Sequence, residues 1–200
     1  MIERTMNSCS RTDGEARRKV VVYSLISLDG VAEEPGDWMF EVDSDVFSFL
    51  SSVIEEQDDV LLGRGTYDYW VDYWPTSVVE PFASFINSVP KHVFSSTPLR
   101  GIWNNERLAD RPLEEHVRAM RGDTGRDIGV HGSITLVQAL LAASLVDELH
   151  LVVAPTIAGH GARLFPSGVT GPLRLTCTMQ SRTPSGALLA SYSVVDAPRA

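Results

Sequence analysis

The sequence has little cysteine and no long apolar run. Its two cysteines, Cys9 and Cys177, lie far apart in the chain of 200 residues, so we expect reduced thiols, no disulfide framework and no bound metal. No stretch approaches the roughly 18 uninterrupted apolar residues of a membrane helix. Charged residues occur where a signal peptide would have its apolar segment. We therefore expect a cytoplasmic protein without membrane contact.

Positive charge is also scarce. The chain has 17 Lys and Arg against 26 Asp and Glu, a formal net charge of −9. Nucleic-acid binders grip phosphates with clustered Lys and Arg, so this balance argues against one. Eleven of the acidic residues lie between Asp29 and Asp59 without one Lys or Arg. A solvated acidic face is the simplest interpretation of that segment.

Composition and periodicity indicate one globular domain after a short leader. Hydrophobic residues make up 44% of the chain, which is typical of a folded domain. Residues 1–18 show no periodicity and are rich in Ser, Thr, Arg and Glu, so we predict a flexible leader there. The domain is predicted to span residues 19–196, beginning at Lys19.

Strands of the buried type alternate with helical patterns along this domain. This alternation predicts an α/β fold of three layers, with helices on both faces of a mostly parallel central sheet. At the C-terminal end, period-two segments flank Thr183–Gly186 and predict an antiparallel hairpin at the sheet edge. Thr66 is the predicted cap of a helix that begins at Tyr67. The predicted strands are 20–26, 60–62, 92–94, 128–130 and 149–154, and the predicted helices are 45–54, 67–70, 81–88, 113–120 and 134–143.

The common catalytic and nucleotide motifs are absent. No G-x-G-x-x-G, P-loop or H-E-x-x-H occurs, the five histidines are scattered, and no G-x-S-x-G frames Ser133. Three small or glycine-rich loops at predicted strand ends remain: 63–66, 94–97 and 130–133. Ligands of open α/β sheets bind at the carboxyl ends of the strands, and glycines let backbone N–H groups approach a phosphate. With Arg64 and the serines, these loops could hold a phosphorylated cofactor.

Six segments occur in a characteristic order and spacing, namely Ser27–Gly30, Gly63–Tyr67, Phe94–Ser96, Val130–Leu136, Leu145–Leu149 and Pro155–Phe165. With these segments the chain resembles the dihydrofolate reductase-like reductases, and in particular the reductase domain of the bifunctional riboflavin-pathway deaminase-reductase. The likeness spans about Lys19 to Val195. No deaminase domain is expected, because the zinc signature of histidine, glutamate and paired cysteines is absent.

The resemblance implies an NADPH-dependent reductase that passes a hydride to a conjugated nitrogen heterocycle. On that basis Arg64 lies near the ribose 2′-phosphate with Ser95 or Ser96. The family has two adjacent glycines where this chain has His131-Gly132, so the histidine either perturbs the approach of the cofactor, reaches the 2′-phosphate or faces solvent. The remaining cofactor residues implied are Gly63, Gly65 and Thr66 on one side of the pyrophosphate, and Gly132, Ser133 and Ile134 on the other.

The same resemblance implies a homodimer and a carboxylate side chain that binds the substrate. Leu145-Val146 is either a dimer contact or part of the core. Asp45 is the nearest match to the carboxylate with which dihydrofolate reductases hold the pterin and assist protonation, and Asp43 competes for that role. Asp45 is also well placed as a helix N-cap. Trp38 would stack on a flat ring or close the core.

The substrate of the riboflavin pathway carries a ribose phosphate, which favours a basic cleft. The candidate cleft segment 29–59 is acidic, so Lys91, Arg163 or Arg182 would have to reach into it. We therefore expect a reductase of a small conjugated nitrogen heterocycle, similar to 5-amino-6-(5-phosphoribosylamino)uracil reductase. The alternatives are a non-catalytic dinucleotide-binding or sensing module and dihydrofolate reductase activity.

Overall fold

The structure is a computed structural model that describes residues 17–165 and 172–195. Within these ranges no helix has the length and apolar character needed to cross a membrane. The predicted leader residues 1–16, with Cys9, and residue 196 at the predicted domain end lie outside them. The elements are β1 (Val20–Ser27), α1 (Ser44–Ile54), β2 (Gln57–Gly63), α2 (Arg64–Tyr73), α3 (Phe82–Ser88), β3 (Lys91–Phe94), β4 (Glu106–Leu108), α4 (Leu113–Gly122), β5 (Asp127–Val130), α5 (Ile134–Ala142), β6 (Glu148–Ala154), β7 (Leu175–Arg182) and β8 (Leu188–Val194).

One eight-stranded sheet organises the described residues, in the order β4-β3-β2-β5-β1-β6-β8-β7. All neighbours from β4 to β6 pair in parallel. β8 then joins β6 in antiparallel orientation, and β7 pairs antiparallel with β8. The predicted mostly parallel sheet with an antiparallel C-terminal hairpin is therefore confirmed.

Helices cover both faces of this sheet because successive strand residues point to opposite sides. Val20 and Val22 of β1 pack in the cluster that also contains α4 and α5. Val21 packs against α1 on the opposite face, and α2 and α3 pack against β2 and β3 on that side. The three-layer architecture is confirmed. Leu145 and Val146 are buried in the core of the chain, so they are not available as a dimer contact.

Two elements differ from the sequence prediction. α2 begins at Arg64 with Gly63 as its N-cap, so Thr66 lies inside the helix and the prediction that it caps a helix at Tyr67 is wrong. The short strand β4 was not predicted, because its sequence Glu-Arg-Leu lacks an apolar alternation. β4 forms by pairing in parallel with β3, a contact that local sequence does not encode.

Arg18, which the sequence analysis placed in the leader, is buried against the folded domain. Its Nη2 donates to Asp59 at 2.7 Å and also to Asp58, and its Nε donates to the carbonyl of Arg126 at 2.6 Å. Burial alone would raise the pKa of Asp59, but the bonds from His92 and Arg18 outweigh it and the pKa is lowered. Arg18 thus ties the start of β1 to β2 and β5.

We predict that Arg18→Ala lowers the free energy of unfolding by about 2 kcal/mol, because it leaves two partly buried carboxylates facing each other without a cation. Urea unfolding at neutral pH measures the change. The neighbouring Arg17→Ala is the matched control, since Arg17 is 58% exposed and binds Asp147 at the surface. Equal losses in the two variants would contradict the assigned role of Arg18.

Candidate functional site

Two adjoining cavities lie at the carboxyl ends of the parallel strands. The larger has a volume of about 680 Å³ and is bordered by Tyr23–Leu25 in the middle of β1, by the residues after β5 and by the start of α2. The smaller, of about 350 Å³, lies between the ends of β2 and β3 and the start of α5. Gly65, Ser133 and Thr135 line both cavities. A ligand with two chemically different halves could therefore occupy both cavities, with its central part beside these shared residues.

The shared wall exists because two backbone segments approach very closely. The N–H of Gly63 donates to the carbonyl of Gly132 at 3.1 Å. A Cβ on Gly63 would lie 2.1 Å from Ser133 Oγ, so only glycine fits there. Gly132 has a φ of +137°, and a Cβ there would lie 2.7 Å from Thr66 Oγ1. Both glycines are thus required by the contact between the 63–66 and 131–133 loops.

Arg64 dominates the polar wall of the smaller cavity. Its Nε donates to Asp68 at 2.6 Å, and its Nη1 donates to Ser95 Oγ at 3.0 Å and to Thr97 Oγ1 at 2.5 Å. Nη2 makes no hydrogen bond to any of the described residues. Ser96 also lines this cavity. The structure therefore brings Arg64, Ser95 and Ser96 together, with one guanidinium nitrogen left for a ligand anion.

Two helices point their N-terminal ends at the shared wall. α2 starts after Gly63, and no side chain caps it. The amides of its first turn are therefore available to an anion. α5 starts after Ser133, whose Oγ accepts from the N–H of Leu136 at 3.4 Å. The cofactor residues predicted from the sequence on either side of a pyrophosphate thus lie on the two sides of one groove.

The larger cavity is predominantly apolar and aromatic, which suits a flat ring. Sequence analysis did not identify these residues, although the density of aromatics between positions 67 and 74 is a signal that could have done so. Six aromatic side chains line it, namely Tyr23, Phe47, Tyr69, Trp70, Trp74 and Phe82.

His131 lies in the wall of this larger cavity and does not line the smaller one. Its ring contacts Tyr23 and Phe82, with centroids 6.0 and 5.1 Å away. Its Nε2 lies 2.8 Å from Oε1 of Gln57, which is only 2% exposed. Burial lowers the pKa of His131 to about 3. The imidazole is therefore uncharged at neutral pH.

The structure does not bring the predicted catalytic pair to either cavity. Asp45 is exposed in the first turn of α1 and lines neither one, and the N-cap of α1 is Asp43, not Asp45. The Asp43 carboxylate accepts from the hydroxyl and N–H of Ser185, which anchors the β7–β8 turn. Trp38 is 4% exposed and donates to the carbonyl of Glu33 at 2.8 Å, so it closes the core.

None of the three cations considered from the sequence lines the larger cavity. Lys91 is buried, and its Nζ donates to the carbonyls of Ile86 and Val89. Burial lowers the pKa of this amine to about 8. Arg163 is exposed near Asp29, and Arg182 is exposed on β7. No Lys or Arg is among the described residues that line this cavity, but the carboxylates Glu33 and Glu34 are.

The loop that carries these glutamates is held in place by Asp29. Its carboxylate accepts from Ser27 Oγ at 2.7 Å and from the N–H groups of Ala158 and Gly159. The bond from Ser27, followed by that from Ala158, lowers the pKa of Asp29 to about 2. The first and last of the six sequence segments thus meet in space and position one wall of the larger cavity.

Comparison with known proteins points to one family. A family model described as the RibD C-terminal domain matches residues 18–189. The uncharacterized protein YyaP of Bacillus subtilis strain 168 is 27% identical over 162 residues, which cover 77% of this chain and 84% of YyaP. YwjB of the same strain is 28% identical over 155 residues, covering 74% of this chain and 83% of YwjB.

Three solved structures share the fold at 16–19% identity. A protein of Shewanella sp. PV-4 assigned to riboflavin biosynthesis matches with a TM-score of 0.74 over 89% of this chain and 99% of that one. A pyrimidine reductase-like protein of Corynebacterium diphtheriae gives 0.62 over 90% and 93%. A diaminohydroxyphosphoribosylaminopyrimidine deaminase/5-amino-6-(5-phosphoribosylamino)uracil reductase of Thermotoga maritima gives 0.64 over 90% of this chain but 57% of its own.

We predict that Gly63→Ala destabilises the protein by about 1–3 kcal/mol, because the new methyl group overlaps Ser133. Thermal unfolding measures the loss. Gly65→Ala is the matched control, since nothing lies within 4 Å of a Cβ at that position. Adding Ser133→Gly to Gly63→Ala is expected to recover much of the stability. A double variant no more stable than Gly63→Ala alone would refute this steric explanation.

The lowered pKa of His131 predicts a pH-dependent stability. Its folded-state pKa of about 3 lies below the value of about 6.5 in an unfolded chain, so protonation favours unfolding. The contribution is fully present above about pH 6.5 and falls by about 1.4 kcal/mol per pH unit below it. Urea unfolding between pH 6.5 and 4.5 should show a shallower dependence in His131→Gln. His160 is exposed, so His160→Gln is the control for the loss of one imidazole. If the pH dependence of stability in His131→Gln is as steep as in the unmodified protein, the assignment to His131 is disproved.

Proposed function

The chain belongs to the RibD C-terminal domain family, and from this membership we propose that it is an NADPH-dependent reductase of a small conjugated nitrogen heterocycle. The observation that carries the proposal is the pair of adjoining cavities at the carboxyl ends of β2, β3 and β5. One is small and polar with a guanidinium, and the other is large and aromatic. A dinucleotide and a flat substrate need such a division of the site.

The residues of the smaller cavity fit the adenosine end of NADPH. Arg64 presents Nη2, and Ser95 and Ser96 present hydroxyl groups, to the position proposed for the ribose 2′-phosphate. The uncapped amides at the start of α2 face the position proposed for the pyrophosphate. Gly65, Thr66, Gly132, Ser133 and Ile134 would surround the pyrophosphate and the linkage that continues into the larger cavity.

The larger cavity would hold the nicotinamide ring and the substrate together. Bound NADPH supplies a hydride, which would add to the carbon of a conjugated C=N bond while the nitrogen takes a proton. The aromatic walls would stack the reacting rings and exclude water from them. His131 would contact the substrate as a neutral group fixed by Gln57.

The structure bears differently on the two alternatives, dihydrofolate reductase activity and a non-catalytic dinucleotide-binding module. The first would use Asp45 to hold the substrate, but Asp45 lies on the surface outside both cavities. A non-catalytic dinucleotide-binding module would use the same smaller cavity. Oxidation of NADPH, followed at 340 nm with a panel of aminopyrimidines and pterins, distinguishes this module from an enzyme. Cofactor binding without turnover of any ring would favour the module.

We predict that Arg64→Ala weakens NADPH binding by about tenfold or more and NADH binding much less, because a charge-assisted bond to phosphate contributes about 1.5–3 kcal/mol. Fluorescence titration with each nucleotide measures both losses. Arg100→Ala is the matched control, since this arginine also binds Asp68 but lines neither cavity. Equal losses for NADPH and NADH in Arg64→Ala would remove the 2′-phosphate assignment.

A further inference from the structure

We propose that the substrate of the larger cavity is a flat, unphosphorylated nitrogen heterocycle that is neutral or positively charged. The inference rests on the proposed reductase function and deepens it. It would separate this protein from a reductase that acts on a phosphoribosyl-bearing ring.

The lining of the larger cavity contains two carboxylates and, among the described residues, no Lys or Arg. Glu33 and Glu34 line it and both are exposed. Glu33 already accepts the N–H of Ala162 at 2.8 Å, whereas Glu34 makes no hydrogen bond from its side chain to any described residue. No arginine or lysine in the described ranges lines the cavity. A phosphate dianion there would be repelled by both carboxylates with no cation to receive it.

The histidine that lines the cavity does not supply the missing charge. With a pKa of about 3, His131 is neutral at physiological pH. Its Nε2 is occupied by Gln57, and its ring lies among Tyr23, Phe82 and Phe85. The residue therefore offers a ligand one uncharged ring nitrogen and an aromatic face.

The guanidinium that lines the adjoining, smaller cavity serves that cavity alone. Arg64 lines only the smaller one and is held there by Asp68, Ser95 and Thr97. In the proposed complex it is already committed to the cofactor phosphate. The two cavities therefore differ in the ligand charge that they accept: an anion in the smaller, and an uncharged or cationic ring in the larger.

A matched ligand pair tests this difference. Calorimetric titration of the full chain, saturated with NADP⁺, would use 5-amino-6-(ribitylamino)uracil and its 5′-phosphate, which differ only in the phosphate. We expect the unphosphorylated compound to bind about tenfold more tightly at low salt, with the difference shrinking as salt screens the carboxylates. Equal or tighter binding of the phosphorylated compound, or binding of neither, would overturn the inference.

Charge reversal at the mouth provides a second arm. Glu34→Lys is expected to strengthen binding of the phosphorylated compound several-fold and to leave the unphosphorylated one nearly unchanged. Glu115→Lys is the control, because this exposed residue at the start of α4 alters the net charge equally but lines neither cavity. The same gain in both variants would refute a local effect of Glu34. If the unmodified protein does not bind NADPH at all, the proposed reductase function itself is disproved.

Discussion

The close approach of Gly63 to Gly132 and Ser133 is the constraint on which the rest of the site depends. β2 and β5 are parallel neighbours, with Leu61 opposite Val130, the last residue of β5. β2 continues for two more residues, and its last residue, Gly63, bonds to Gly132 in the segment that follows β5. After each of these strands the chain continues into a helix. A Cβ on Gly63 would collide with Ser133, and a Cβ on Gly132 would collide with Thr66. With hydrogen in place of Cβ at position 63, the two segments bond directly and form the wall between the cavities. The helix N-termini then face one groove.

The distribution of charge around that wall gives the two cavities opposite preferences. The protein is acidic overall, with a net charge of −9. Its guanidinium at the groove, Arg64, lies on the side of the smaller cavity and is fixed by Asp68 and Ser95. The larger cavity has Glu33 and Glu34 at its mouth and an uncharged His131 in its wall. In the proposed complex, a polyanionic cofactor and an uncharged substrate would bind side by side without competing for the same cation.

Sequence reasoning succeeded where a local pattern decides the outcome. Runs of β-branched residues gave the buried strands, and apolar spacing in segments such as Val46–Ile54 gave the helices, because burial on one face imposes that period. Sequence reasoning failed to place Asp45, which it assigned to the substrate site. A helix turns by about 100° per residue, so Val46 is buried while the adjacent Asp45 is exposed to solvent. For His131, only the surrounding rings of other elements decide its charge.

The sequence by itself determined the layered α/β architecture, the antiparallel edge, the loops that carry glycine at strand ends and the family to which the chain belongs. These features follow from periodicity and from residues adjacent in the chain. Tertiary structure alone decided which groups share a cavity: Gln57 beside His131, Asp43 bound to Ser185, and Lys91 turned away into the core. Such contacts join residues far apart in sequence, and electrostatics and burial depend on distance in space rather than along the chain.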